Sequence, residues 1–293
     1  MLTGSNISLG QISRNIWCYL KFYHDYDGFV VLHGTDTTAY GASILSFMLE
    51  SVGKTVVLTG AQIPIFQPRS DGNNNLLCAI LIAATQNIPE VTVFFGARLF
   101  RGTRVKKVSN TRIYAFDSPN FPALLEAKST LDVDPKMLIH PPGSVPNECR
   151  LHDKLCRKLI IDNYEVNKNI FISCSNIQIL NSIFLFTGVV LETYGNGNIP
   201  IKRKEIYKEI EAAVKNKVLV VNVTQCINGT VIAKPLYETG LLLLECGVVP
   251  AYDMTAEAAW AKLSYVLTKT ELSYEEKVKL MKTNIRGEMY NPH

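Results

Sequence analysis

The sequence predicts an α/β protein made of two parallel-sheet domains, on three observations. Its strand-like runs are continuously apolar, as in Asp27-Gly-Phe-Val-Val-Leu-His and Val91-Thr-Val-Phe-Phe, the pattern of strands buried on both faces. These runs alternate with stretches of helical periodicity. The 293 residues also exceed what one hydrophobic core usually supports, so two domains are expected. Their expected bounds are residues 1–150 and 165–293.

Asp27–His33 reads as the first strand. Thr37–Glu50 is the helix after it, with Ile44, Phe47 and Met48 on one face and Ser51-Val-Gly as its end. Lys54–Gly60 is the second strand. A proline-containing loop, a helix over Asn73–Thr85 and a third strand over Val91–Phe95 follow. A basic turn then carries Arg98, Arg101, Arg104, Lys106 and Lys107. From 128 to 168, Pro135, Pro141, Pro142, Gly143 and Pro146 break up a stretch of mixed charge, which reads as the interdomain linker. The βα pattern resumes with a strand over Ile183–Leu191, a helix over Lys204–Lys215 and a strand over Val218–Val223. A helix over Leu236–Glu245 is closed by Gly247, and another begins at Thr255, a capping residue with Glu257 in the first turn.

Apolar residues make up 47% and charged residues 19% of the chain, an ordinary globular mix. The net charge of +4 is scattered, and its densest run, Lys202-Arg203-Lys204, reads as a solvated helix start, so no nucleic-acid partner is expected. The seven cysteines form no CxxC pair and no leader-like segment opens the chain, which points to a reducing, cytoplasmic setting. The apolar runs fall short of the roughly 20 residues that cross a bilayer, so no membrane span is expected. The five histidines lack ligand spacing, so no metal and no cofactor is expected.

In open α/β sheets ligands bind at the carboxyl ends of strands, where His33-Gly34-Thr35-Asp36-Thr37 lies. Gly34 allows a sharp turn and close approach of a ligand. Thr35 carries a hydroxyl at a helix start, where free N–H groups favour a carboxylate. Asp36 suits a substrate ammonium group or the orientation of a proton carrier. A threonine hydroxyl needs a base to take its proton, and Lys107 lies in the right part of the sheet. On chemistry alone the competing reading is a pair of helix caps.

The segments taken together decide between these readings. HGTDTTAYGASILSFMLE, TGAQIPIFQPRSDGNNNL, FFGARLFRGTRVKKVSN, FDSPNFPALLEA, VLETYGNGNIP, VVNVTQC, VPAYDMTAEAAWAKLSYVL and NIRGEM occur in this order. The set resembles the L-asparaginase family, in its cytoplasmic (type I) branch, from about Ser5 to Glu288. The resemblance implies a larger N-terminal and a smaller C-terminal α/β domain and a homodimer or homotetramer. It also implies cofactor-free hydrolysis of L-asparagine to L-aspartate and ammonia. Thr35 and Asp36 match the family's GTD motif, where the threonine activates water or the nucleophile and the aspartate also holds the substrate's α-ammonium group. Lys107 matches the lysine that completes this triad, with Lys106 as the alternative register. Ser5 matches a substrate-carboxylate contact, although Thr3-Gly4-Ser5 stands where the family has DSS. Asn196 and Asn198 match a loop that reaches a neighbouring subunit's site, with an ordinary glycine-rich turn as the alternative.

The chain departs from the family in places. It has no TGGTI segment, which in the family carries the nucleophilic threonine, and Thr3 does not take its place because no strand precedes it. That strand is central in the family's first sheet, so its neighbours are expected to expose apolar edges. The expectation is therefore a shortened N-terminal domain. An incomplete gene model is favoured over a splice form or an inactive paralogue, since the rest of the triad is intact. Glu192 stands where the bacterial enzymes have an allosteric arginine, and Cys226 reads as a small buried hydrophobe. The rival functions are a catalytically dead binder of amino acids and a lysophospholipase or transacylase. A nucleotide-binding module is set aside because no GxGxxG or GxxxxGK follows a strand.

Overall fold

The computed structural model describes residues 21–140, 149–152, 159–160, 172–173, 187–200, 204–232 and 238–290. The chain divides into two compact units, Met1–Asp153 and Lys154–His293.

In the first unit β1 (Gly28–Leu32) leads through a 3-10 turn, Thr35–Thr37, into α1 (Thr38–Met48). Next come β2 (Leu49–Glu50), β3 (Thr55–Thr59), α2 (Gly72–Thr85), β4 (Val91–Phe95) and β5 (Arg98–Arg101). The short strands β6 (Lys106–Lys107), β7 (Phe116–Asp117), β8 (Leu125–Glu126) and β9 (Arg150–Leu151) complete it. The main sheet has the order β1-β3-β4-β5-β8. Its β1–β3 and β3–β4 pairs are parallel, as the apolar runs predict, and β5 and β8 join antiparallel. Every residue of β3 and β4 is buried, whereas Leu32 of β1, the edge strand among the described residues, is 64% exposed. Packing against β1 is close: a Cβ on Gly28 would lie 2.1 Å from the Ala83 carbonyl oxygen of α2.

Three expectations need correction. The basic turn after β4 is in its first half a strand. Gly96 and Ala97, both at positive φ, form the two-residue hairpin turn, and Leu99 and Phe100 are fully buried. Arginines disguised this strand: Arg101 is buried and bonds Glu90 at 2.6 and 3.1 Å. Residues 128–140 are not a free linker either. Leu131, Val133, Met137 and Leu138 pack on the core of Val57, Ile82, Phe94 and Leu99. Arg101 also donates to the Met137 carbonyl, and Glu90 accepts the Ile139 N–H, both at 2.6 Å. Finally, the first helix stops at Met48, because Leu49 and Glu50 pair antiparallel with Leu151 and Arg150. Ser51, with φ of 56°, makes the left-handed exit rather than Gly53.

The second unit contains β10 (Leu159–Ile160), β11 (Ile172–Ser173), β12 (Gly188–Thr193), α3 (Lys204–Lys215) and β13 (Leu219–Thr224). It continues with α4 (Glu238–Glu245), β14 (Val249–Pro250), α5 (Ala256–Leu267) and α6 (Tyr274–Met281). Its sheet, β10-β12-β13-β14 with β11 also on β12, is parallel throughout. The residues predicted to start the strand at Ile183 and the helix at Leu236 lie outside the described residues, as does Lys202-Arg203. Thr255 caps α5 as expected, its hydroxyl accepting the Ala258 N–H at 3.1 Å. Ser273 and Glu276 form a capping box on α6. Within this unit Lys262 and Glu288, both fully buried, form an ion pair of 2.6 Å. Burial pushes the Lys262 ammonium pKa down, and the Glu288 carboxylate opposes that. Among the described residues no helix is long and apolar enough to cross a membrane.

Candidate active site

The site lies at the carboxyl end of β1. The ladder to β3 runs one step past the strand, with the His33 N–H donating to the Thr59 carbonyl at 2.8 Å. Gly60 makes this convergence possible, since a Cβ there would lie 2.3 Å from the His33 carbonyl oxygen. Gly34 is extended and acts as the N-cap, so Thr35 and Asp36 are thrown into the turn before α1. The β3 exit is held by a carboxylate. Asp71 accepts the N–H groups of Gln62 and Ile63 at 3.1 and 3.0 Å, and Asn75 bonds both Asp71 and the Gly60 carbonyl. Sequence reasoning missed this network, although an Asp directly before a helix is a recognisable start signal.

Lys107 arrives on the β6–β7 ribbon, paired with Phe116. Phe116 is buried against Phe95 of β4, edge-on at 4.9 Å, and Arg98 of β5 holds Asp117 at 3.0 Å. So anchored, the Lys107 ammonium donates to the Thr35 hydroxyl at 2.9 Å and to an Asp36 carboxylate oxygen at 2.6 Å. Lys107 has a side-chain exposure of 17%, while Asp36 faces solvent at 68%. This arrangement places a hydroxyl beside an amine nitrogen at the wall of the sheet and leaves a carboxylate facing outward for a cationic group. Lys106, the alternative register, sits opposite Asp117 on the other side of the strand.

The other expected site residues fall elsewhere. Ser5 lies outside the described residues. In the second unit Asn196 and Asn198 belong to a tight turn in which Gly195 and Gly197 take positive φ and Asn198 pairs with Tyr194. The buried Asn222 side chain holds that turn through the Gly197 carbonyl at 3.2 Å. Cys226 is exposed in the loop after β13, not buried as read from the sequence. Among the described residues no cluster of His, Cys, Asp and Glu could hold a metal ion.

Comparison with known proteins matches the Asparaginase, N-terminal family to residues 5–137 and the Glutaminase/Asparaginase C-terminal domain to residues 174–281. An L-asparaginase of Dirofilaria immitis is 44% identical over 270 residues, 92% of this chain and 44% of that protein. The 60 kDa lysophospholipase of Mus musculus is 40% identical over 93% of this chain and 46% of its own length. The chain thus spans about half the length of these two relatives. L-asparaginase 1 of Escherichia coli K12 is 42% identical, and the match covers 91% of this chain and 76% of the bacterial protein. The crystal structure of L-asparaginase I from Vibrio cholerae superposes with a TM-score of 0.84 at 38% identity, covering 99% of this chain and 84% of that one. The two matched domains, their order along the chain and this two-unit α/β fold together place the chain in the asparaginase family.

Proposed function

We propose that this chain is an amidohydrolase acting on L-asparagine, with Thr35, Asp36 and Lys107 as the catalytic and substrate-binding group. One observation carries the reading: a single ammonium group bridges the Thr35 hydroxyl and the Asp36 carboxylate from a segment some 70 residues away in sequence. In this role Lys107, in its neutral amine form, takes the Thr35 hydroxyl proton while that oxygen takes a proton from the attacking water. Water adds to the side-chain amide carbon, the C–N bond breaks, and the nitrogen leaves as ammonia with the proton that the Thr35–Lys107 pair returns. Asp36, facing outward, holds the α-ammonium group of the substrate. Ser5 serves the α-carboxylate, and Asn196 and Asn198 act across a homodimer or homotetramer. The cytoplasm is the proposed setting.

The test is ammonia release from L-asparagine by the 293-residue chain and by a form extended upstream with a TGGTI-bearing strand. Activity in either form, abolished by Thr35→Ala, supports the assignment. No release from either form refutes it. Similarity to the mouse 60 kDa lysophospholipase gives a second reading, in which fatty acid is released from a lysophospholipid. The same preparations, offered lysophosphatidylcholine micelles, separate the two.

A further inference from the structure

His33 is the member of the His33–Thr37 wall to which the proposed chemistry gives no task. It is 7% exposed. Its Nδ1 lies 2.8 Å from the Gly34 carbonyl oxygen. A carbonyl only accepts, so Nδ1 carries the proton. The Thr38 hydroxyl donates to the same carbonyl at 2.8 Å, and its oxygen, 3.3 Å from Nδ1, accepts a longer share of the Nδ1 proton. That leaves Nε2 bare, and it is buried with no partner among the described residues. Gly41 makes room for the ring, because a Cβ there would lie 2.7 Å from Nε2. Burial also pushes the imidazole pKa below its ordinary 6.5, so the ring is neutral in a neutral solution.

The Gly34 carbonyl thus takes two neighbouring donors, the His33 imidazole and the Thr38 hydroxyl. A trans peptide is planar, so pinning that oxygen pins the Thr35 N–H in the opposite direction and fixes the start of the Thr35 side chain. The backbone of His33 is fixed in turn by its bond to Thr59 and by the gap at Gly60.

We propose that His33 is a positioning residue: with Thr38 it locks the Gly34–Thr35 peptide and so sets the Thr35 hydroxyl against the Lys107 ammonium. This rests on the reading of Thr35 and Lys107 as the reacting pair.

The experiment uses the 293-residue chain and its TGGTI-extended form, unsubstituted, as His33→Leu and as His33→Asn. Two readouts need no turnover: the imidazole tautomer and the Thr35 amide resonance, both by nitrogen-15 NMR. A protonated Nδ1 is expected, with the Thr35 resonance shifted in His33→Leu and restored in His33→Asn, whose amide N–H stands where Nδ1–H stood. In the asparagine assay His33→Leu lowers kcat about 10- to 100-fold with KM within about threefold, and His33→Asn recovers most of kcat. An Nε2–H tautomer, an unmoved Thr35 resonance in His33→Leu, or equal impairment of both variants overturns the proposal; the last result leaves only a packing role. If the unsubstituted forms release no ammonia, the proposed function fails on that result, and the two NMR readouts still decide the role of His33.

Discussion

Replacing Lys262 by methionine should destabilise the second unit severely. The Lys262 ammonium meets the Glu288 carboxylate at 2.6 Å and the Thr283 carbonyl at 2.5 Å. Glu288 in turn accepts the N–H groups of Ile285 and Arg286, and both side chains are fully buried. Lys262→Met leaves a carboxylate in the interior with two amide donors and no counter-charge, a change worth about 3–5 kcal/mol. With an m-value of about 2 kcal/mol/M, the urea midpoint falls by about 2 M. The double variant Lys262→Met, Glu288→Gln keeps a carbonyl oxygen for the two amides and removes the charge. It should recover about half of the loss. Urea titrations followed by tryptophan fluorescence and circular dichroism measure both. A loss below about 1 kcal/mol in the single variant, or a double variant no more stable than the single one, refutes the reasoning.

Further outcomes are expected. Lys107→Met should lower the rate of asparagine hydrolysis by about 100-fold or more, read as kcat in an ammonia assay, while thermal unfolding changes little. Ala97→Gly should raise stability by about 1 kcal/mol, read from the melting temperature, because Ala97 has a φ of 63° in the β4–β5 turn. Ser273→Ala should cost about 1 kcal/mol in the same assay by opening the capping box of α6. His33 has a lowered pKa in the folded chain, so as pH falls below its ordinary 6.5 the unfolded chain binds a proton that the folded chain does not. Its stabilising contribution is therefore full above 6.5 and is lost as pH drops toward the folded value. His33→Asn should be the less pH-sensitive form in urea titrations at about pH 7.5 and 5.5.

The parallel frame was legible because its signal is local. The runs at 55–59, 91–95 and 219–224 are apolar as strands buried on both faces are, and the run at 28–32 has the same character although it stays half-exposed. Thr255 announced its helix by capping chemistry. The errors lie where tertiary pairing overrides local character. Arg98-Leu-Phe-Arg101 has the charges of a surface turn, and the Glu90 carboxylate, eleven residues back, together with the Met137 carbonyl makes Arg101 an interior residue. Residues 128–140 lack periodicity because Leu131, Val133, Met137 and Leu138 rest half-buried against the core from an irregular segment instead of forming a stripe. Thr35, Asp36 and Lys107 were singled out for their chemical types and by resemblance. Their convergence depends on the Phe116–Phe95 contact that seats the ribbon, and no spacing rule encodes it. The Asp71 position carries a helix-start signal that sequence reasoning missed, whereas its bonds to Gln62 and Ile63 and the seat of His33 against Gly41 depend on how the loops fold back.

The clasp of Glu90 and Arg101 around residues 137–139 has a practical consequence for dividing the chain. A first unit expressed alone and cut at Lys136 would lose the carbonyl that Arg101 holds and the amide that Glu90 accepts, stripping one bond from each member of a buried pair. A cut after His140 would spare the clasp and still forfeit the Arg150–Leu151 strand that pairs with Leu49–Glu50. The shortest fragment that retains all these bonds therefore extends through His152, whose N–H donates to the Met48 carbonyl at the end of α1. Fragments ending at 136, 140 and 152 should rank in that order of increasing resistance to proteolysis.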